Sequence, residues 1–144
     1  MKVLFVFGPN LGALGRRDPE RYGSETLSEI MASVEERGRG AGHTVAWKQS
    51  DHEGDLVGWI LGARQDLVDA IVINPGALSH YSYAIRDAVE ACEVPVIEVH
   101  MSNIYAREEF RRHSVISEVC RATITGVGAG GYHLALEAMQ WITG

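Results

Sequence analysis

Residues 8–23, GPNLGALGRRDPERYG, gather a phenol, two adjacent guanidinium groups and a side-chain amide in one stretch. A free phenol titrates near about 10 and is a poor base at neutral pH, but a guanidinium beside it favours the phenolate. Arg16 or Arg17 close to Tyr22 would therefore make a usable base; the same spacing also fits a surface tyrosine beside solvated arginines. Glu98 and His100 stand two residues apart in PVIEVHMSN. On a strand they face the same side. A carboxylate so placed orients an imidazole and favours its protonated form, as a general acid requires. The alternative is a core histidine satisfied by a backbone carbonyl. Arg107 and Arg111 in AREEFRRHS are i and i+4 and would share a helix face suited to hydroxyls or a carboxylate. Glu108 and Arg112, at the same spacing, read as a surface ion pair, and the whole segment reads equally as a solvated helix. His80 follows a GALS turn and is a candidate hydrogen-bonding group, although a lone histidine is more often structural. No pair among His80, His100 and His113 has metal-ligand spacing, so no metal site is expected.

These groups need elements to position them, and strand and helix patterns alternate along the chain. Strand-like runs cover 2–7, 44–48, 70–74, 94–100 and 122–125. Between them, Leu27, Ile30, Met31 and Val34 fall on one helical face, with Thr26 and Glu29 spaced as a capping box. Leu56, Trp59, Ile60 and Ala63 repeat the spacing, as do Ile85, Ala88, Val89 and Cys92, and then Tyr132, Ala135, Leu136 and Met139. Gly38, Gly40 and Gly42 end the first of these helices. The alternation predicts an α/β fold with a parallel sheet and helices on both faces, and Ile71-Val72-Ile73 reads as a central strand. Ligands of such sheets bind beyond the carboxyl ends of the strands. Strand one leads into Asn10 and the long loop, strand three ends at Asn74 before PGALSHYS, and strand four ends at His100 before MSN. Polar residues of three strands should therefore meet on one rim. A loop as long as 11–23 in a small domain is usually functional or disordered, and its cations suggest a lid over an anionic ligand.

Composition narrows the classes. The chain of 144 residues suffices for one domain, 1–144, and nothing reads as a linker, a repeat or a low-complexity tract. Its net charge of -6 and the lack of a basic stripe argue against nucleic acid, so an anionic substrate must be met by local arginines. Cys92 and Cys120 read as reduced core residues. The MKVLFVFG start is too short for a secretion signal, and no apolar run approaches a membrane span, so a soluble, cytoplasmic protein is expected. The GVGAGG segment at 126–131 formally matches GxGxxG. Too little chain follows for a βαβ unit, however, and it reads as a tight strand-to-helix turn. The first loop lacks the groups of a phosphate cradle, which disfavours FMN and a P-loop.

GPNLGALGRRDPERYG, INPGALSHYSYAIRDA and PVIEVHMSNIYAREEFRRHS, in this order, resemble the motifs of the type II 3-dehydroquinate dehydratases. QSDHEGDLVGWI and GYHLAL add to a likeness that spans nearly the whole chain. The resemblance implies a flavodoxin-like three-layer sandwich with a five-stranded parallel sheet of order 2-1-3-4-5. It further implies assembly into a dodecamer of trimers, and loss of water from 3-dehydroquinate to give 3-dehydroshikimate with no metal or organic cofactor. It casts Tyr22 as base and Arg17 as the cation that activates it, with Asn10 holding a water that stabilises the enolate. His100 becomes the general acid with Glu98 behind it. Asn74 and the backbone N–H groups of Met101 and Ser102 would hold the carboxylate, while His80 and Arg111 bind ring hydroxyls. Arg107 would lie near Tyr22, and Asp87 would reach the site of a neighbouring subunit.

The chemistry implied suits those groups. A proton alpha to a ketone leaves an enolate whose charge needs placed donors, and a departing hydroxyl needs a proton. A closing lid would exclude water. The sequence departs from the family pattern at Phe7, where an Asn is usual, at Ser79 and Tyr81, where Thr is usual on either side of the histidine, and at Tyr105, often His. Asp18 is a conservative change. Tyr81, bulky and next to His80, is the departure expected to affect the pocket or a subunit contact.

Overall fold

The computed structural model describes residues 1–143. Five parallel strands form one sheet in the order β2-β1-β3-β4-β5: β1 Lys2–Phe7, β2 Thr44–Gln49, β3 Ala70–Asn74, β4 Val96–His100 and β5 Ala122–Thr125. The expected flavodoxin-like order is therefore the observed one. Among the described residues five α-helices accompany the strands: α1 Pro19–Tyr22, α2 Leu27–Gly40, α3 Glu53–Gly62, α4 Tyr83–Ala91 and α5 Gly130–Ile142. β1 and β3 are apolar on both faces because helices cover both. Leu4, Val6, Ile71, Ile73 and Val96 pack with α3 and α4, whereas Val3, Phe5, Val72, Ile97 and Val99 pack with α2 and α5.

Local chemistry sets the element ends. Thr26 Oγ1 accepts the Glu29 N–H at 3.2 Å and starts α2. That helix closes where His43 N–H donates to the Gly38 carbonyl at 2.8 Å. Gly38 is required by packing: a Cβ there would meet Val45 Cγ2 of β2 at 2.6 Å. Two strand ends differ from expectation. β2 runs one residue further, to Gln49, and β4 begins at Val96 rather than 94. Pro95 has no N–H for the ladder, so it contributes only its carbonyl, which accepts from Ile71 N–H at 2.9 Å.

The segment around Arg107 is a larger correction. It is not an α-helix but two 3₁₀ turns, Ile104–Ala106 and Glu109–Arg112, separated by Arg107 in an extended conformation. Three-residue periodicity replaces the expected i, i+4 spacing. Glu108 consequently pairs with Arg111, not with Arg112, and Arg112 Nε donates to the Arg107 carbonyl at 3.1 Å.

The strand order reverses between β1 and β3, and the chain leaving these two strands crosses at backbone contact. Gly8 N–H donates to the Asn74 carbonyl at 2.8 Å. A Cβ on Gly8 would stand 2.4 Å from the Pro75 carbonyl oxygen, and one on Gly76 (φ +60) 2.9 Å from that of Pro9. Only glycines allow so close an approach. The crossing brings the first loop over the ends of β3 and β4.

Candidate active site

Soluble interiors rarely hold polar side chains without a reason. Among the described residues the buried polar or charged side chains are Asn74, Ser79, Ser82, Glu98 and His100. All lie at the carboxyl end of β3 or β4 or in the chain directly after β3. Two of them, Asn74 and His100, border a pocket whose walls also include Asn10, Arg17, Tyr22 and His80. Met101, Ser102, Arg107 and Arg111 complete the rim. The sequence's expectation of one polar rim thus holds. A larger hollow at the opposite end of the sheet, bordered by Met1, Asp69, Pro95 and Arg121, contains none of these residues.

At one side stands Tyr22, on the last turn of α1. Its hydroxyl accepts a 2.8 Å hydrogen bond from Arg107 Nη1, and the Arg17 guanidinium carbon lies 4.9 Å from its ring centroid. Arg107 Nη1 also donates to Ser102 Oγ at 3.2 Å. Arg107 Nε is buried and has no hydrogen-bond partner among the described residues, an uncommon state for a buried donor that points to a ligand group. Arg16 takes no part; it borders a separate groove with Gly12, Thr26 and Trp47.

β4 puts Glu98 and His100 on the same face. Glu98 Oε2 pairs with His100 Nε2, and Oε1 accepts from Ser117 Oγ at 2.7 Å and Ser114 Oγ at 3.1 Å. Burial alone would push this carboxyl up, but the bonds from His100, Ser117 and Ser114 outweigh it and hold Glu98 below the usual carboxylate range. With Nε2 engaged, His100 has Nδ1 for the pocket.

His80 stacks near His100, with ring centroids 6.4 Å apart. Its Nδ1 donates to the His113 carbonyl at 2.8 Å, so Nε2 of the neutral ring is an acceptor. Burial holds its pKa below the ordinary histidine value against the opposing pull of that carbonyl. Arg111 lies over the Phe110 ring at 4.7 Å, tethered to Glu108 by a 2.6 Å bond from Nε. Asn10 has φ +70, a left-handed conformation that asparagine tolerates, and its N–H donates to Asp51 Oδ1 at 2.9 Å. Gln49 Nε2 joins the same carboxylate at 3.1 Å and the Gly8 carbonyl at 3.2 Å.

Two of the residues expected to act at such a site do not line this pocket: Glu98 stands behind His100, and Asp87, expected to reach the site of a neighbouring subunit, is exposed on α4. Tyr81 is 62% exposed and also off the pocket wall, so its bulk bears on the surface rather than on the cavity. Phe7 is buried against Tyr132 and Trp47. Burial pushes both Cys92 and Cys120 thiols up, which leaves neither suited to nucleophilic work. The sequence reading missed Ser114, Ser117, Gln49, Asp51 and Tyr132. Ser114 and the Gln49–Asp51 pair sat inside stretches noted for resemblance but carried no assigned part. Ser117 gave no signal, and Tyr132 read as a core position.

Known proteins resemble this chain over nearly all of its length. A family model described as dehydroquinase class II matches residues 1–140. A 3-dehydroquinate dehydratase of Thermus thermophilus is 52% identical over 134 residues, covering 93% of this chain and 90% of that one. The crystal structure of a type II dehydroquinase from Propionibacterium acnes superposes with a TM-score of 0.91 at 48% identity, covering 99% of this chain and 95% of that chain. A type II dehydroquinase from Butyrivibrio crossotus gives 0.95 at 42% identity, with 97% of each chain covered. No described helix is long and apolar enough to cross a membrane. With these relatives matched over almost their full length, the chain belongs to the class II dehydroquinase family.

Proposed function

We propose that this protein is a hydro-lyase that converts 3-dehydroquinate to 3-dehydroshikimate, with Tyr22 as base and His100 as acid. The observation that carries the reading is that the Tyr22–Arg107 pair and the His100 that Glu98 holds line one and the same pocket. Tyr22 Oη takes the proton alpha to the ketone, and Arg17 and Arg107 stabilise the phenolate that does so. The resulting enolate is met by a water held on Asn10. His100 Nδ1 gives a proton to the departing hydroxyl, which leaves as water while the enolate electrons form the conjugated double bond. Glu98, kept ionised by its serines and His100, balances the imidazolium charge. The family resemblance supports an anti elimination, with base and acid acting on opposite sides of the ring.

Asn74 and the Met101 and Ser102 N–H groups take the carboxylate; neutral His80, accepting through Nε2, and Arg111 take ring hydroxyls. The 11–23 segment acts as a lid that brings Arg17 and Tyr22 down on the ring and expels water. The family resemblance further supports a homododecamer built from trimers, with Asp87 of one subunit reaching the next, and a cytoplasmic enzyme of shikimate synthesis or quinate breakdown that needs no metal. The test is an ultraviolet assay of metal-stripped protein with 3-dehydroquinate at neutral pH. Appearance of the conjugated enone is expected, whereas silence from folded protein would overturn the reading.

A further inference from the structure

Tyr132 lies in the first turn of α5 and is wholly buried, yet it carries a hydroxyl into the apolar layer between α5 and the sheet. Its ring packs edge-on against Phe7 at 5.3 Å and Phe5 at 6.4 Å. Phe7 brings no polar atom to this layer. The hydroxyl meets Asn74, the last residue of β3, whose Nδ2 donates to it at 2.8 Å. The other end of the same amide, Oδ1, accepts the Gly76 N–H at 3.1 Å.

Together these bonds leave the amide little freedom. A flipped amide would set Nδ2 against the Gly76 N–H, donor facing donor, so Gly76 decides which end points where. The phenol then holds the amide plane by engaging one Nδ2 hydrogen. The second Nδ2 hydrogen remains for the pocket, which Asn74 borders. Burial pushes the Tyr132 phenol well up, so it stays neutral at working pH and is no acid or base.

We propose that Tyr132 is a positioning residue: with the ends of the Asn74 amide already set by Gly76, the phenol holds the amide plane so that the second Nδ2 hydrogen meets the substrate carboxylate. This rests on the reading that Asn74 takes the carboxylate. Without the phenol the amide would keep its Oδ1 on Gly76 but could tilt, and it would order only when ligand binds. Tyr132 therefore acts on affinity for the anion rather than on proton transfer.

The test uses Tyr132→Phe, Asn74→Ala and the double variant of the full chain, with quinate and its uncharged methyl ester as calorimetric probes. Tyr132→Phe keeps the ring contacts with Phe5 and Phe7. It should weaken quinate by about ten- to a hundredfold, from the cost of a lost and unsatisfied buried bond, and leave the ester within about twofold. KM for 3-dehydroquinate should rise by a similar factor, with kcat changed less than about threefold. Added to Asn74→Ala, it should have no further effect on quinate. Quinate binding unchanged in Tyr132→Phe but weakened in Asn74→Ala would overturn the inference alone. Equal weakening of acid and ester would also overturn it, as the sign of a general core defect. Unchanged quinate binding in Asn74→Ala would instead sink the carboxylate reading beneath it. Should Tyr132→Phe fail to fold, NMR of the Asn74 side-chain amide in the unaltered protein decides. One Nδ2 proton should move on adding quinate while its Tyr132-bonded partner holds its shift. Rotational averaging, or equal movement of both, refutes the proposal.

Discussion

Replacing Glu98 by glutamine removes one charge and almost no volume, from a side chain that is completely buried. The carboxylate has three bonds to lose, from His100, Ser117 and Ser114. A hydrogen bond to a charged group contributes about 1.5–3 kcal/mol, but a buried carboxylate also carries several kcal/mol of desolvation cost. The amide avoids most of that cost and can still satisfy its neighbours. Its oxygen accepts from His100 Nε2, and its NH2 donates to the two serine oxygens, which rotate to accept. A stability loss of only about 1–2 kcal/mol follows from the exchange of charged for neutral bonds. Catalysis should suffer far more, because no anion then balances the imidazolium that must protonate the leaving hydroxyl. General acid catalysis is typically worth about 10²–10⁴ in rate, and kcat should fall by that order. The acid limb of stability should change as well. A carboxyl whose folded pKa is depressed contributes stability that is complete above its unfolded pKa, about 4.3, and is lost as pH falls through the folded value. Glu98 is such a group, so Glu98→Gln should lose less stability than the unaltered protein as pH falls below about 4. Thermal melts across that range, beside enone formation at neutral pH, read both effects. A Glu98→Gln variant with kcat within about threefold of the parent would refute the assignment of His100 as a charge-balanced acid.

Tyr22→Phe should abolish turnover by at least about a hundredfold while folding and assembly persist, checked by steady-state rates and sedimentation. Substantial residual activity would mean another base. Asp51→Ala removes the acceptor of the Asn10 N–H in a solvent-exposed setting. Water can replace that bond, so melting should barely move, whereas kcat should drop about three- to tenfold as Asn10 loses its fixed orientation. Gly8→Ala would set a Cβ 2.4 Å from the Pro75 carbonyl oxygen. Overpacking against backbone should cost about 1–3 kcal/mol or more in a urea titration and disturb the pocket with it. A melt equal to the parent's would show that the crossing of the two loops has slack.

Much of the molecule was legible in its sequence because the relevant information is local. Strand runs of period two and helix faces of period 3.6 can be read in a short window, and β1, β3 and β5 fall on the expected residues. Polar residues directly after apolar strands are equally local, which is why Asn10, Asn74 and His100 could be placed on one rim before any contact was known. Pro95 shows the limit: it lies within the apolar run of β4, and only the missing N–H separates it from the strand. The 104–112 segment shows another, since charge spacing alone does not distinguish α from 3₁₀ geometry.

The sequence by itself determined the alternating architecture, the end of the sheet where chemistry collects, and the set of groups available there. Tertiary structure decided which of them meet. It chose Arg17 over Arg16 for the Tyr22 ring and brought Arg107, 85 positions away, onto the Tyr22 hydroxyl. It likewise put Ser114 and Ser117 behind Glu98, and Tyr132 under Asn74 across 58 positions. Such pairings depend on how helix layers and connecting turns settle on the sheet, where a shift of one residue exchanges one partner for another. Burial then gives them their strength: in a dry layer an unmade hydrogen bond costs more than a made one contributes.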